Sequence, residues 1–338
     1  MTRRLSSGSS RALVLGGGGI AGISWEIGVL HGLAEAGFDV RRWDLVVGTS
    51  AGAYVGARML LADDPAALYA GELERSLPDD ELDLASLTGR MFVRSLRLGR
   101  RRRSVDVPAL WFLAVFVRTL AHHAARHGLR RTLDVWRTMR RPDLDPERVH
   151  VFGRALGSIA LLGRRGSDEA LIAYLSRMLG RDAHWPATRF VTIAADVQTG
   201  RREPLDASSG TSVIRAVAAS MALPGFVVPV PIGQRRLMDG GVTSATSADL
   251  ASGCHDVLVV APLVTPLVLT EIERLRSEGS RVELIRPSVV DVPMWSGLAM
   301  LDPICRPDAA RAGREDGLRA AAELFRTAEP STDERATA

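Results

Sequence analysis

WDLVVGTSAGAYVGARMLL, residues 43–61, is the stretch from which the fold of this chain is read. Leu45, Val46 and Val47 make the short apolar run of a strand buried on both faces. Gly48-Thr49-Ser50-Ala51-Gly52 then spells G-x-S-x-G, and residues 53–61 predict a helix with small residues on its early turns. A serine between glycines at a strand-to-helix turn is a nucleophile elbow. The glycines let two backbones approach and the turn close, so the hydroxyl stands above the sheet edge. The helix that follows directs its first N–H groups at negative charge developing beside the serine. The plainer alternative is a strand–turn–helix corner in which Ser50 only caps the helix.

Working outward toward the N-terminus, residues 12–15 predict a first strand, followed by Gly16-Gly17-Gly18-Gly19-Ile20-Ala21-Gly22 and a helix over 23–36 that Gly37 stops. With the elbow strand this makes a β-α-β unit. Such units are right-handed with parallel strands, which puts the glycine loop and Ser50 on the same rim. Consecutive glycines at a helix start also present the N–H groups that an oxyanion needs. Gly17, Gly19 and Gly22 satisfy G-x-G-x-x-G as well, the spacing of a dinucleotide site. That reading requires an acid at the end of the second strand. The strand ends in Gly48-Thr49-Ser50, with its nearest acid, Asp44, at its start, so nucleotide binding is disfavoured.

Toward the C-terminus, residues 63–186 read as a helical, Arg-rich insertion with an apolar block at 109–117 and a helix near 169–179. Strands are expected over 189–196, 202–205, 227–232, 235–238, 257–260 and 282–285, and helices over 211–221, 270–278 and 307–327. Strands alternating with helices predict an α/β sandwich with a largely parallel central sheet. Residues 1–10 and 328–338 are polar and expected to be disordered.

Composition narrows the function classes. The chain has 338 residues, 46% hydrophobic and 24% charged, with a net charge of +4. All 43 basic residues are Arg, and there is neither Lys nor Asn, which fits a GC-rich coding sequence better than a nucleic-acid surface. No zinc-finger or RNA-recognition spacing is present. Cys254 and Cys305 lack metal-ligand spacing and read as reduced thiols, which points to the cytoplasm. No stretch approaches the ~18 apolar residues of a membrane span.

An activated serine needs a proton acceptor. The histidines are His31, His122, His123, His127, His150, His184 and His255, of which His255 alone falls in a suitable C-terminal loop. An α/β-hydrolase would place several strands before its elbow, whereas one strand precedes this one. Asp239 is the better candidate, because it follows an apolar strand and precedes Gly240-Gly241, which allow its carboxylate to approach another backbone closely. Standing alone, Asp-Gly-Gly would read as a turn.

Taken together, the glycine loop at 16–22, the elbow at 48–52 and the segment 212–250, with Ala219-Ser220 and Pro224-Gly225 leading to Asp239-Gly240-Gly241, resemble the patatin-like phospholipase family. The resemblance implies a three-layer α/β/α sandwich. Its core would span 11–262 with the insertion at 63–186, and 263–327 would continue the same fold. It implies a Ser–Asp dyad, with Ser50 as nucleophile, Asp239 as the group that activates it, and the N–H groups of Gly17, Gly18 and Gly19 as oxyanion hole. Gly16, Gly22, Gly48, Gly52, Gly240 and Gly241 complete the motifs. It further implies hydrolysis of acyl esters on lipids without metal or cofactor. An acyltransferase using the same serine and a lipid-binding protein without turnover remain open. Ala21 departs from the family, whose loop usually carries Arg or Lys there.

Two readings stay open for residues 91–118, where Arg94, Arg97 and Arg100-Arg101-Arg102-Arg103 precede the nine apolar residues 109–117. One is a cap that dips into an anionic membrane surface beside basic anchors, a peripheral contact at the inner face of the membrane. The other is a buried helix next to a solvated basic face.

Overall fold

The computed structural model describes residues 10–61, 65–74, 168–224, 226–289, 293–295 and 297–328, with a few positions between 149 and 161. The segment 91–118, the histidines at 122–127, nearly all of the N-terminal stretch and the tail after 328 lie outside the described residues, as does most of the insertion.

The strands are β1 (Arg11–Leu15), β2 (Leu45–Thr49), β3 (Arg189–Asp196), β4 (Arg202–Leu205), β5 (Val230–Ile232), β6 (Arg235–Asp239), β7 (Asp256–Val260) and β8 (Arg281–Ile285). The described helices are α1 (Gly19–Glu35), α2 (Ala51–Leu61), α3 (Pro65–Leu73), α4 (Glu169–Leu179), α5 (Val213–Ser220), α6 (Pro266–Ser277) and α7 (Arg306–Ala328). Strands β3, β2, β1, β7 and β8 pair in parallel in that order. Three antiparallel pairings, β3–β4, β3–β6 and β5–β6, complete one mixed sheet of eight strands.

Period-two alternation sorts the strand residues into two cores. Leu13, Leu15, Val46, Leu258 and Val260 pack with residues of α1, α2, α4, α5 and α7. Ala12, Val14, Leu45, Val47, Val257 and Val259 pack on the other face with Val268, Ile272 and Leu275 of α6. The result is an α/β/α sandwich with a largely parallel sheet.

The register of β3 places the site. Its residues 189–193 pair with β2, ending at Thr49↔Ile193, and its residues 194–196 pair with β6, beginning at Ala194↔Asp239. Because β4 takes the opposite edge over 192–195, β2 and β6 share one edge of β3, meeting at their C-terminal ends. A strand edge offers one set of hydrogen-bonding groups per residue, so the last residues of β2 and β6 come face to face there. The residues at that junction are the end of the elbow strand and Asp239.

Helix α1 starts four residues earlier than its pattern suggests, because Gly19 takes a left-handed φ of 60° and lets the loop turn directly into the helix. Helix α6 also starts early, at Pro266 behind a Thr265 cap that accepts from the Val268 N–H. Helix α1 is buried on nearly every side and crosses α7 in parallel at unusually short range. A Cβ at Gly28 would lie 2.1 Å from the Ala310 carbonyl oxygen, and one at Gly313 would lie 2.0 Å from that of Trp25. Gly32 and Gly317 extend the contact by one turn, and the Trp25 indole donates to Asp316 Oδ2 at 2.9 Å beside it. None of the described helices is long and apolar enough to cross a membrane.

Candidate functional site

The turn from β2 into α2 forces Ser50 to a φ of 54°, a conformation rare for a residue with a side chain. Such a position costs of order 1–3 kcal/mol and persists only where its surroundings fix it. Three contacts do so. The Ser50 N–H donates to Ser220 Oγ at 2.9 Å, and Ser220 Oγ donates to the Ile193 carbonyl at 2.6 Å. The Gly52 N–H donates to the Gly16 carbonyl at 2.9 Å, which joins the elbow to the glycine loop. Gly52 has no alternative, since a Cβ there would lie 2.2 Å from the Leu15 carbonyl oxygen.

With the backbone so held, Ser50 Oγ donates to Asp239 Oδ2 at 2.6 Å. Asp239 is 3% exposed, and its other carboxylate oxygen accepts from the Gly241 N–H at 2.7 Å. Burial raises this carboxyl to about 6, against the opposing effect of the hydrogen bonds from Ser50 and Gly241. Gly240 permits the close approach of this loop, for a Cβ there would meet the Ile193 carbonyl at 2.2 Å. Gly16, Gly22 and Gly48 likewise pack against Pro262 or Ala53 and serve the backbone behind the site.

Gly17, Gly18, Gly19, Ser50, Asp239 and Gly241 line one cavity of about 380 Å³. Its other walls are apolar, with Ile20, Ile23, Leu171, Met221, Leu223 and Met300 among them. The cavity lies within the size range of small-molecule sites, and its polar groups converge on the Ser50 hydroxyl.

The glycine loop departs from the expectation at one position. The Gly17 N–H donates to the Ala245 carbonyl at 2.7 Å, so it is committed to the protein and does not face a ligand. Gly18 and Gly19 have no backbone or side-chain acceptor among the described residues. The Ala51 N–H, at the first residue of α2, is in the same condition and also borders the cavity. The N–H groups of Gly18, Gly19 and Ala51 thus border the same cavity as the Ser50 hydroxyl, at the starts of α1 and α2, where the helix dipoles favour negative charge.

None of the described histidines, His31, His150, His184 and His255, lines the cavity. No group of three or more metal-ligating side chains occurs among the described residues. Ala21 is fully buried and packs with Met300 and Cys305. The feature that sequence reasoning missed is the turn at 244–248, whose carbonyls reach back to the glycine loop and the elbow strand. The run Thr243-Ser244-Ala245-Thr246-Ser247, dense in short hydroxyl side chains directly after Asp239-Gly240-Gly241, was the available signal.

The model of the family described as patatin-like phospholipase matches residues 13–252. Patatin-like phospholipase domain-containing protein 6 of Mus musculus is 36% identical over 149 residues, 40% of this chain and 10% of that protein. Lysophospholipase NTE1 of Phaeosphaeria nodorum is 45% identical over 69 residues, 20% of this chain and 4% of that protein. The chain thus matches about a tenth or less of the length of these relatives. Among solved structures, VipD from Legionella pneumophila aligns with 94% of this chain and 68% of its own at 13% identity and a TM-score of 0.40. ExoU of Pseudomonas aeruginosa, in its complex with SpcU, aligns with 94% and 53% at 16% identity and 0.34.

Proposed function

Because the chain belongs to the patatin-like phospholipase family, we propose that it is a serine lipid acyl hydrolase that cleaves carboxylic esters through an acyl-enzyme on Ser50. The observation that carries this reading is the 2.6 Å hydrogen bond from Ser50 Oγ to a buried carboxylate at the wall of an apolar cavity. Asp239 takes the Ser50 proton as Oγ attacks the ester carbonyl, and then gives it to the departing alcohol. Negative charge on the carbonyl oxygen is met by the N–H groups of Gly18 and Gly19. A water then attacks the acyl-enzyme and delivers its proton to Asp239, which passes it to Ser50 Oγ as the acyl–Oγ bond breaks, releasing the fatty acid and restoring Ser50 and the Asp239 carboxylate.

The raised pKa of Asp239 explains how a carboxylate does the work of an imidazole. Burial moves it from the ordinary carboxylate range to about 6, near where a histidine titrates. A base with a pKa close to the working pH combines sufficient ionisation with sufficient proton affinity. Since Asp239 acts as the anion, kcat/KM falls roughly tenfold per pH step below about 6 and levels off above it.

The deciding experiment treats the purified protein with a fluorophosphonate and locates the adduct by mass spectrometry. It also follows release of nitrophenol from p-nitrophenyl acyl esters. A single adduct on Ser50 with matching loss of ester hydrolysis is expected. No adduct would leave a lipid-binding protein of this fold. Acyl transfer to added glycerol in place of fatty-acid release would make the protein a transferase.

A further inference from the structure

We propose that Glu271 is a positioning residue for the oxyanion loop, acting from the opposite face of the sheet through the turn at residues 244–248. Glu271 sits on α6 and is 6% exposed. Its Oε2 accepts two hydrogen bonds from the turn, from Thr246 Oγ1 at 2.8 Å and from the Ala248 N–H at 3.0 Å. Within the turn, Ser244 Oγ accepts from the N–H groups of Thr246 at 3.2 Å and Ser247 at 2.9 Å. These bonds hold Ser247 at a left-handed φ of 53°, which a side-chain-bearing residue does not adopt unaided.

What the turn does with its carbonyls ties this cluster to the site. Ala245 O accepts the Gly17 N–H at 2.7 Å, and Thr246 O accepts the Thr49 hydroxyl at 3.3 Å. One turn therefore grips both the loop that carries Gly18 and Gly19 and the residue just before Ser50. A direct bond from Gly52 to Gly16 already joins the two segments at their base. The next residue along the loop, Gly17, is fixed through Ala245 alone among the described backbone bonds. Glycines have no side chains with which to fix their own orientation, so the aim of the Gly18 and Gly19 N–H groups depends on this external clamp.

Packing alone does not account for a carboxyl here. Glu271 projects from the helix that supplies Val268, Ile272 and Leu275 to the core, where an aliphatic side chain would bury at no desolvation cost. Burial raises its pKa against the opposing effect of the hydrogen bonds from the turn, so the carboxyl is held there at a desolvation cost. Asp249, the nearest other carboxylate, is engaged by Arg202 in two bonds of 2.6 Å.

The inference rests on the reading of Gly18 and Gly19 as oxyanion donors, and its test separates the two. Kinetics on p-nitrophenyl esters and the second-order rate of fluorophosphonate labelling are measured for wild type, Glu271→Ala, Glu271→Gln, Thr246→Val and Thr246→Ser. Displacing the loop lowers kcat and the labelling rate together by about 10- to 10²-fold in Glu271→Ala, with KM within about twofold. Glu271→Gln retains most of the activity, because its amide oxygen accepts the same two bonds. Thr246→Val loses several-fold, and Thr246→Ser does not. A Glu271→Ala protein with wild-type kcat, whatever its melting temperature, overturns the proposal, as does a Gln variant as impaired as the Ala one. If Glu271→Ala does not fold, equal rates for Thr246→Val and Thr246→Ser overturn it. A wild-type protein that neither labels nor hydrolyses overturns the hydrolase reading itself, and the clamp with it.

Discussion

Glycines gather in two places in this protein, the loop at 16–22 and the crossing of α1 with α7, and they serve opposite ends there. At the crossing, Gly28, Gly32, Gly313 and Gly317 let two helix backbones touch, and every missing Cβ is replaced by a carbonyl of the partner helix. In the loop, Gly18 and Gly19 leave N–H groups without a partner among the described residues, beside an apolar cavity. The crossing satisfies its groups and gains close packing. Among the described residues the site accumulates costs: Ser50 at a positive φ, Asp239 buried without a cation among its hydrogen-bond partners, two amides unpaired. Strain and unmet polar groups belong where chemistry is done, and the crossing is one of the places that holds the fold against them.

The largest effect that sharpens this contrast is chemical. Ser50→Ala and Asp239→Asn are each expected to lower ester hydrolysis by about 10⁴-fold or more, with the double variant scarcely worse, because the pair acts as a unit. Circular dichroism and melting should show the fold intact. Residual activity in Asp239→Asn that vanishes on changing a histidine would break the assignment. Next in size, Gly18→Ala should reduce kcat by about 10²- to 10³-fold, the typical loss of one oxyanion donor. Its Cβ would meet Pro262 at 2.7 Å and Gly22 at 2.8 Å, so the loop must shift. A variant with normal kcat and raised KM would mean that the glycines only pack a ligand.

The same substitution at the crossing should do the reverse. Gly313→Ala forces a methyl to within 2.0 Å of the Trp25 carbonyl oxygen. Overpacking against backbone that cannot yield costs about 3 kcal/mol or more. Thermal melting should fall by several degrees while kcat per labelled Ser50 is unchanged. A loss of kcat at constant melting temperature would erase the distinction between the two glycine groups.

Asp239 tests the idea that the site works against stability. Its carboxyl is raised from 3.8 to about 6 by burial. A group with a raised folded-state value stabilises fully below its unfolded value, and that contribution is lost as pH rises from about 4 through about 6. The loss amounts to about 3 kcal/mol. Asn carries no such charge; its Oδ1 can still accept from the Gly241 N–H while its Nδ2 donates to Ser50 Oγ, so both contacts stay hydrogen-bonded with the second reversed. Asp239→Asn should therefore gain stability over wild type across that window and melt higher at pH 8, while being inactive. Parallel stability curves for the two proteins from pH 4 to 8 would contradict the buried-charge account.

Much of this was legible in the sequence, for a physical reason. The elbow and the glycine loop are local: strand, turn and helix follow one another within a few residues, and apolar runs with glycines at fixed spacing specify them without reference to the rest of the chain. The parallel sheet follows from the β-α-β connection. What was not legible is non-local. The sharing of the β3 edge by β2 and β6, which meet at their C-terminal ends, depends on register between segments about 190 residues apart. The commitment of the Gly17 N–H to Ala245 depends on it too. The glycines of α7 read as weak helix formers in a terminal helix, and only the partner α1 explains them. The early start of α6 was a readable signal overlooked, since Thr265-Pro266 is a cap followed by proline at the first helical position.

The smallest expected effect has the opposite sign and defines the limits of the comparison. Gly71 lies within α3, where a Cβ would find nothing within 4 Å and the backbone shows no positive φ. No partner-helix backbone crowds the place of its missing Cβ and it does not line the cavity, so neither reason for a glycine applies to it. Its carbonyl accepts from Arg306 at 3.2 Å, and a methyl group leaves that bond untouched. What remains is the entropic cost of glycine inside a helix, which alanine removes by restricting the unfolded chain. Gly71→Ala should therefore stabilise the protein by about 0.5–1 kcal/mol, with kcat and KM as in wild type. Chemical denaturation of this variant beside Gly313→Ala resolves the two signs within one experiment. Destabilisation by Gly71→Ala would mean that glycine is required in this helix for a reason other than close approach.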